Sequence, residues 1–549
     1  MDTICSDFGQ RSQKILNNYD REDLVFAPVI FVLGFLFVKL IGAAALTKIR
    51  LGLGVMVFTF LFISVVMVWF KRKGAVVDRS VGAMLLVMAL LSAYVAIYQN
   101  IALQAFALLI LIVLAAYAVL ALGKARIEEE VGAFLPFDLV ASLLTIPLSH
   151  FGKIFAICSR GMKERKGGRT FITASCGAVL AVPVYYYVGM LLQRADAVFA
   201  SLWQRILWSI LSEDMVVTLF QILVSLPVSM YLYGLIFGTV RKKGAPPIER
   251  EMAVAVAEKA KALPYHMVIG AVAPLLGVYA LFFFSQTSYF TSAFRGVLPQ
   301  GLVYAEYARS GFFELCTVSV INLLCIAVFL VFTKRQTAVE GTETEGNRLQ
   351  ALPLAGRICC FLLTLSSITM IVIAMSKMAL YIGIYGLTQL RLFTSWFMLF
   401  LAVVFTCVIV LLHKPEFKLV KCCAYAGIIL FLVLCYADTD GRIARYNLDG
   451  YRSGKLAQLD LLMLQDMGAQ AAPYLLEIVD DEAFDATHRE HARLILESMI
   501  RQSERHSRFP DDWRTWTITG YRAKTLLADY SHTIYIKKVS HSPIPQYNR

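Results

Sequence analysis

The chain is constrained most by a succession of nearly uncharged apolar runs, each long enough to cross about 30 Å of hydrocarbon. They lie near residues 24–46, 51–70, 80–98, 101–123, 171–193, 215–240, 265–285, 310–333, 358–376, 393–412 and 419–436. The runs are continuous and do not alternate at period two, which excludes a closed barrel. A backbone in hydrocarbon then has only its own helix to satisfy its N–H and C=O groups. The expected fold is all-α: a polytopic helical membrane bundle of about eleven transmembrane helices, followed by a small helical C-terminal domain. With 58% hydrophobic and 17% charged residues, the chain falls outside the range of ordinary soluble domains.

The net charge of +13 raises the question of a nucleic-acid partner, and the position of the charges answers it. With a cytoplasmic N-terminus and the tail left aside, about 28 basic residues fall in loops on the cytoplasmic side and about 8 in those opposite, the asymmetry that orients membrane proteins. Lys71-Arg72-Lys73, Lys163 to Arg169 and Arg241-Lys242-Lys243 carry much of it. Membrane lipids are the expected partners and nucleic acid has no role. Eleven crossings put the C-terminal tail outside the cytoplasm, and a miscount by one span would reverse that.

The segments follow as 1–23 (cytoplasmic), 24–123 (spans one to four), 124–170 (cytoplasmic, interfacial and basic), 171–333 (spans five to eight), 334–357 (a polar linker), 358–437 (spans nine to eleven) and 438–549 (the tail domain). Residues 134–157 are apolar but broken by Pro136, Asp138, Pro147 and His150. They suit a helix in the interface, a re-entrant hairpin or a short helix packed beneath the bundle. Pro183 and Pro227 predict kinks in their spans. In the tail, residues 456–481 show helical spacing interrupted by Gly468 and Pro473, with a further helix near 487–502. Trp513, Trp516 and Tyr521 read as aromatics sealing a small core or as an interaction patch.

Catalytic motifs are missing where they would be expected. GYRSGKL at 450–456 has its glycines too close together for a phosphate loop, and Leu456 stands where a magnesium-binding hydroxyl belongs. HREH at 488–491 lacks a third ligand and the acid placement of a zinc hydrolase. No catalytic set, metal or cofactor is expected. The ionisable residues worth following are Glu306, Arg309 and Glu314 at the entrance to the eighth span, and Lys377, Tyr381, Tyr385 and Arg391 between the ninth and tenth. These could enclose one outer polar pocket, with Arg309, Lys377 and Arg391 holding an anionic headgroup or solute and Glu306 orienting Arg309. They could equally be snorkelling charges and an aromatic belt. Asp196, after the fifth span, is a secondary candidate, either a polar group at depth or a helix cap.

Four blocks, RADAVFA at 194–200, LPQGLVYAEYARSGFFEL at 298–315, YGLTQLRL at 385–392 and IARYNLDGYRSGKL at 443–456, resemble the bacterial multi-pass membrane family called domain of unknown function 4173, close to the 4153 group. The resemblance implies a bacterial cytoplasmic membrane and brings no activity to any residue. Two functions fit: binding or translocation of an anionic envelope lipid or solute, and an interaction or sensory role in which 438–549 engages an envelope protein.

Overall fold

The computed structural model describes residues 21–42, 51–154, 157, 181, 185, 187–196, 198–203, 213–241, 250–295, 311–333, 354–414, 416–507 and 513–540. Ten helices among them are long and apolar enough to cross a membrane. They are α1 (Arg21–Phe37, prolonged by a π turn over Val38–Gly42), α2 (Leu53–Arg72), α3 (Arg79–Ile97), α4 (Ile101–Leu122), α6 (Glu213–Arg241), α8 (Tyr265–Arg295), α9 (Phe312–Phe332), α10 (Leu354–Tyr385), α11 (Gln389–His413) and α12 (Leu419–Tyr436). These match ten of the eleven expected spans. The other, 171–193, lies largely outside the described residues. Shorter helices between them include α5 (Leu135–Ser149) and α7 (Arg250–Ala260). Among the described residues there is no strand beyond one bridge between Leu263 and Thr333.

The chain divides into two compact units: Met1–Ser92 with Leu108–Arg126 and Asp138–Pro247, and Ala93–Ala107 with Ile127–Phe137 and Ile248–Arg549. In the first, α6 lies along α1 at close range. A methyl group on Gly34 would overlap Ser229 Oγ, the kind of small-residue contact that lets membrane helices gain dispersion energy where no hydrophobic force draws them together. Phe26 and Trp69 stack with centroids 3.7 Å apart, joining α1 to α2. The segment read as interfacial, reentrant or packed beneath is α5. Asp138, Ala141, Ser142, Ile146 and Pro147 are buried, while Val140, Leu144 and Leu148 form an exposed apolar stripe. His150 Nδ1 lies 2.9 Å from Ser149 Oγ and 3.1 Å from the Ile146 carbonyl, to which it can only donate, and the ring meets that of Phe237 edge-on with centroids 6.1 Å apart.

In the second unit, α8 to α11 share a core that includes Phe312, Phe329, Met370, Ala374, Met398 and Phe405. A polar seam within it is made of neutral groups. The Tyr279 hydroxyl donates to Asn322 Oδ1 at 2.6 Å, and Asn322 Nδ2 donates to Ser367 Oγ at 2.9 Å. Three helices are tied at a point where Asn322 is fully buried.

The tail packs α13 (Thr439–Arg452), α14 (Leu461–Asp466), α15 (Ala472–Asp480), α16 (Ala486–Ser507) and α17 (Ile518–Ser540) around Leu448, Leu464, Leu475, Ile478, Phe484 and Leu496. It keeps this core of its own yet belongs to the same compact unit as α8–α12. Gly468, with φ +69, ends the α14 turn, and Pro473 opens α15. Trp513, Trp516 and Tyr521 do not seal the core: they are 52%, 39% and 59% exposed. Asn322→Val should lower stability by about 1 kcal/mol, the usual scale for interhelical hydrogen bonds in membranes. Unfolding in mixed dodecyl sulfate micelles measures this, and an unchanged midpoint would show that the seam contributes nothing.

Candidate functional site

The structure changes the boundary on which the outer-pocket expectation was built. The helix expected at 358–376 continues to Tyr385, because Met378, Leu380, Ile382 and Ile384 keep supplying apolar surface beyond Lys377. Lys377, Tyr381 and Tyr385 therefore do not lie in a loop. They lie at i, i+4 and i+8 on one face of α10. Lys377 is only 7% exposed, and a methyl group on Gly311 would lie 3.3 Å from its Nζ. Glu314, exposed in the first turn of α9, acts electrostatically on Lys377. Glu306 and Arg309 lie outside the described residues. Asp196 is exposed in the first unit, and its Oδ1 accepts the Phe199 N–H at 2.6 Å, so it caps a helical turn.

Arg391 joins this face from the start of α11. Its guanidinium sits 4.2 Å from the Tyr381 ring centroid and 5.9 Å from that of Tyr385. It donates to the Tyr385 carbonyl at 3.0 Å and also to the Gly386 carbonyl. A cation placed on the last carbonyls of a helix satisfies groups the helix itself leaves open and complements its dipole. Arg391 thus closes the end of α10 and packs on its tyrosines.

Next to this closure lies a polar set that sequence reasoning missed. Gly386 has φ +79, and a methyl group there would overlap Asn447 Oδ1, so this turn needs glycine both for its conformation and for the approach of α13. Asn447 reads the backbone of the next residue in both directions: Leu387 N–H donates to Oδ1 at 2.7 Å, and Nδ2 donates to the Leu387 carbonyl at 2.7 Å. Leu387 and Leu392 pack against the tail core. Two of the blocks that carry the resemblance, 385–392 and 443–456, are therefore pressed together.

About two turns of α13 away, Asp440 is 4% exposed. Its Oδ1 accepts Asn100 Nδ2 and Gln389 Nε2, both at 2.8 Å. Asn100 in turn accepts the Leu103 N–H at 3.0 Å and so caps α4. Gln104 donates to the Val95 and Tyr98 carbonyls at the end of α3. The Asp440 carboxyl therefore gathers the turn between α3 and α4, the first residue of α11 and the first turn of α13. Burial pushes its pKa above the ordinary carboxylate range, the hydrogen bonds from Gln389 and Asn100 oppose that, and the neighbouring Asp438 charge adds to it. At the opposite ends of α11 and α12, exposed Glu130 accepts Lys418 Nζ at 2.6 Å and Lys421 Nζ at 2.9 Å. These hydrogen bonds bring its carboxyl down to about 2.

Other motifs resolve into structure. His488 pairs with Asp485 Oδ1 at 2.5 Å where that residue caps α16. Arg452 bridges Glu477 and Asp481 at 2.6 and 2.7 Å, and Leu456 is buried in the tail. Among the described residues, no three His, Cys, Asp or Glu side chains converge as metal ligands would.

The ten apolar helices and their buried, neutral seam define a multi-pass integral membrane protein. Residues 85–478 match the family model described as Domain of unknown function (DUF4153), well over half of the chain, and the chain belongs to that family. The match takes in Asn100, Gln389, Asp440 and Asn447. No curated protein and no solved structure matches the chain.

The raised pKa gives the junction a definite pH dependence. Because the folded value lies above the unfolded one, the stabilisation is whole below the ordinary carboxylate range and is lost as pH rises through the raised pKa. Amide protection of 439–452, corrected for intrinsic exchange, should therefore fall as pH rises from about 4. Asp440→Asn keeps a carbonyl oxygen for both donors and should flatten that dependence. Asp440→Ala leaves buried Asn100 without its acceptor, at a cost of about 1–3 kcal/mol, and half-buried Gln389 without its own. Identical behaviour of the two variants would remove this role.

Proposed function

We propose that the chain is a multi-pass protein of the bacterial cytoplasmic membrane whose C-terminal helical segment engages an envelope protein outside the cytoplasm and passes that engagement to the bundle. The junction carries the reading. A tail held only by its chain connection needs no buried carboxyl, yet α13 is fixed to the turn between α3 and α4, the turn between α10 and α11, and the start of α11. A shift of α13 would have to break those bonds or move those helix ends with it. The bacterial setting, and any closeness to the 4173 group, rests on the four sequence blocks.

Connectivity supports a sidedness. Three apolar helices, α1 to α3, precede Asn100, and with each of them crossing the membrane Asn100 and its partner Asp440 fall on the side opposite the N-terminal segment. The positive-inside asymmetry favours a cytoplasmic N-terminal segment and, with it, an extracytoplasmic tail. An odd total of crossings, as in the eleven-span expectation, gives the same result. The partner surface we favour is the exposed set Trp513, Trp516 and Tyr521, since aromatics of this kind dominate binding energy at protein interfaces.

A second reading keeps the anionic lipid or solute. It is favoured by one observation, the burial of the Lys377 cation within α10 beside Glu314, because ionisable groups inside spans are costly and tend to serve a ligand or an ion. In that reading Glu306 and Arg309 complete the pocket.

Two measurements test these readings. Lys455→Cys should react with a membrane-impermeant maleimide in intact spheroplasts, and reaction only after lysis would reverse the orientation. A photoreactive amino acid at 513 or 516 should give discrete protein adducts in cells, lost in Asp440→Ala, with none from position 494. Adducts to lipid alone would overturn the partner reading. For the second reading, Lys377→Met should abolish thermal stabilisation by phosphatidylglycerol, and retention of that stabilisation would remove it.

A further inference from the structure

The first unit contains a cavity of about 400 Å³ between α1, α2, α3, α4 and α6, within the size range of small-molecule sites. Its depth is lined by Val55, Phe58, Phe62, Met88, Leu111 and Ala116, all buried. Two lining residues carry hydroxyls, and both are spent elsewhere: Thr59 Oγ1 donates to the Val55 carbonyl at 2.8 Å, and Tyr231 OH donates to the Leu143 carbonyl at 3.0 Å. Water has too few partners here to be held, since a cavity of this character stays dry or takes an apolar guest.

Where the cavity opens is set by two residues midway along their spans. Ile112 of α4 is 42% exposed, and Pro227 of α6 is exposed. Exposure at mid-span means contact with lipid, so the mouth faces sideways into the bilayer and away from either aqueous phase. Pro227 also explains the space. It has no N–H to bond the carbonyl one turn earlier, and its ring pushes that turn aside. Ala115 and Ala116 on the facing helix leave the room unfilled.

We infer that this cavity is a binding site for the hydrocarbon chain of a membrane lipid, entered laterally between α4 and α6. An acyl chain is the occupant whose chemistry fits: it is wholly apolar, it is flexible enough to turn in at mid-span, and it is already present at the mouth. The lipid headgroup stays in the interface and needs no polar partner inside. The site lies in a different unit from the Asp440 junction and does not depend on it.

The test uses the full chain in vesicles of phosphatidylethanolamine and phosphatidylglycerol containing a phospholipid with a diazirine on its acyl chain. After irradiation, adducts are mapped by mass spectrometry. Phe58, Met88 and Leu111 should be labelled to within a few-fold of lipid-facing Phe106 and Leu109. Leu91 and Leu120, buried but outside the cavity, should stay unlabelled. Ala116→Phe should cut labelling of Phe58 and Met88 at least tenfold and leave Phe106 and Leu109 unchanged. Wild-type protein labelled at Phe106 and Leu109 but not at Phe58, Met88 or Leu111 would overturn the assignment without reference to any variant. Labelling that persists in a folded Ala116→Phe protein would overturn it as well.

Discussion

Hydrocarbon offers a peptide group no hydrogen-bond partner except another peptide group of its own helix. The long apolar runs obey that rule, and departures from it fall where some other group can stand in. The π turn at Val38–Gly42 prolongs a helix pressed closely by α6 at Gly34, and Pro227 is accommodated within the continuous helix α6 beside the cavity. At the ends of the spans the open carbonyls need partners, and the side chains that matter most are those that supply them: Arg391 for α10, Gln104 for α3 and Asn100 for the first N–H groups of α4. The junction with the tail is built from the same need. Asn447 pairs with the backbone of Leu387 in the turn after α10, and Asp440 accepts from the side chains of Asn100 and Gln389 at the starts of α4 and α11.

This accounts for a division of labour in the second unit. α10 to α12 fix the tail through polar contacts at one end, and the Glu130 pairs with Lys418 and Lys421 sit at the other end of α11 and α12. The two differ in weight. The lysine pairs are exposed, and exposed ion pairs contribute little. The Asn100–Asp440 bond is buried and the Gln389–Asp440 and Asn447–Leu387 bonds are part-buried, so water is less able to replace a lost partner there. Tail docking is thus the stronger constraint, and the Asp440 end is where a perturbation of the tail would reach the spans.

The sequence made the spans legible because their signal is local: about twenty apolar residues in a row specify a crossing whatever surrounds them. The break between α14 and α15 was legible for the same reason, with Gly468 and Pro473 acting within one turn. The junction was not. Asn100, Gln389, Asp440 and Asn447 are ordinary polar residues in ordinary turns, and only the juxtaposition of positions 340 apart in the chain makes them a cluster. The end of α10 was misjudged because Lys377 looked like a loop residue, whereas a single cation can stay in a helix whose other positions remain apolar. Arg391 looked like a hook for an anion because a sequence does not show which cations are occupied with backbone carbonyls. One signal was available: YGLTQLRL and IARYNLDGYRSGKL carried the resemblance together, and both contain polar residues that a freely solvated loop does not require.

The depth at which each polar group sits has a common logic. Asn322, fully buried at mid-span, is neutral and has two neutral partners, so nothing there incurs the cost of a charge in hydrocarbon. Lys377 lies eight residues before the end of α10, about 12 Å at the helical rise, and reaches toward Glu314 as a long stem can. Asp440 lies beyond the last turn of α12, where a carboxyl can take either protonation state. Its two donors converge on a single oxygen, so a protonated carboxyl keeps both bonds, whereas the ionised form bears the burial penalty as well as repulsion from Asp438. An asparagine would hold the same geometry at every pH. Aspartate at this position makes the strength of the junction depend on its proton, and the arrangement around it gives that proton an effect on three helix ends at once.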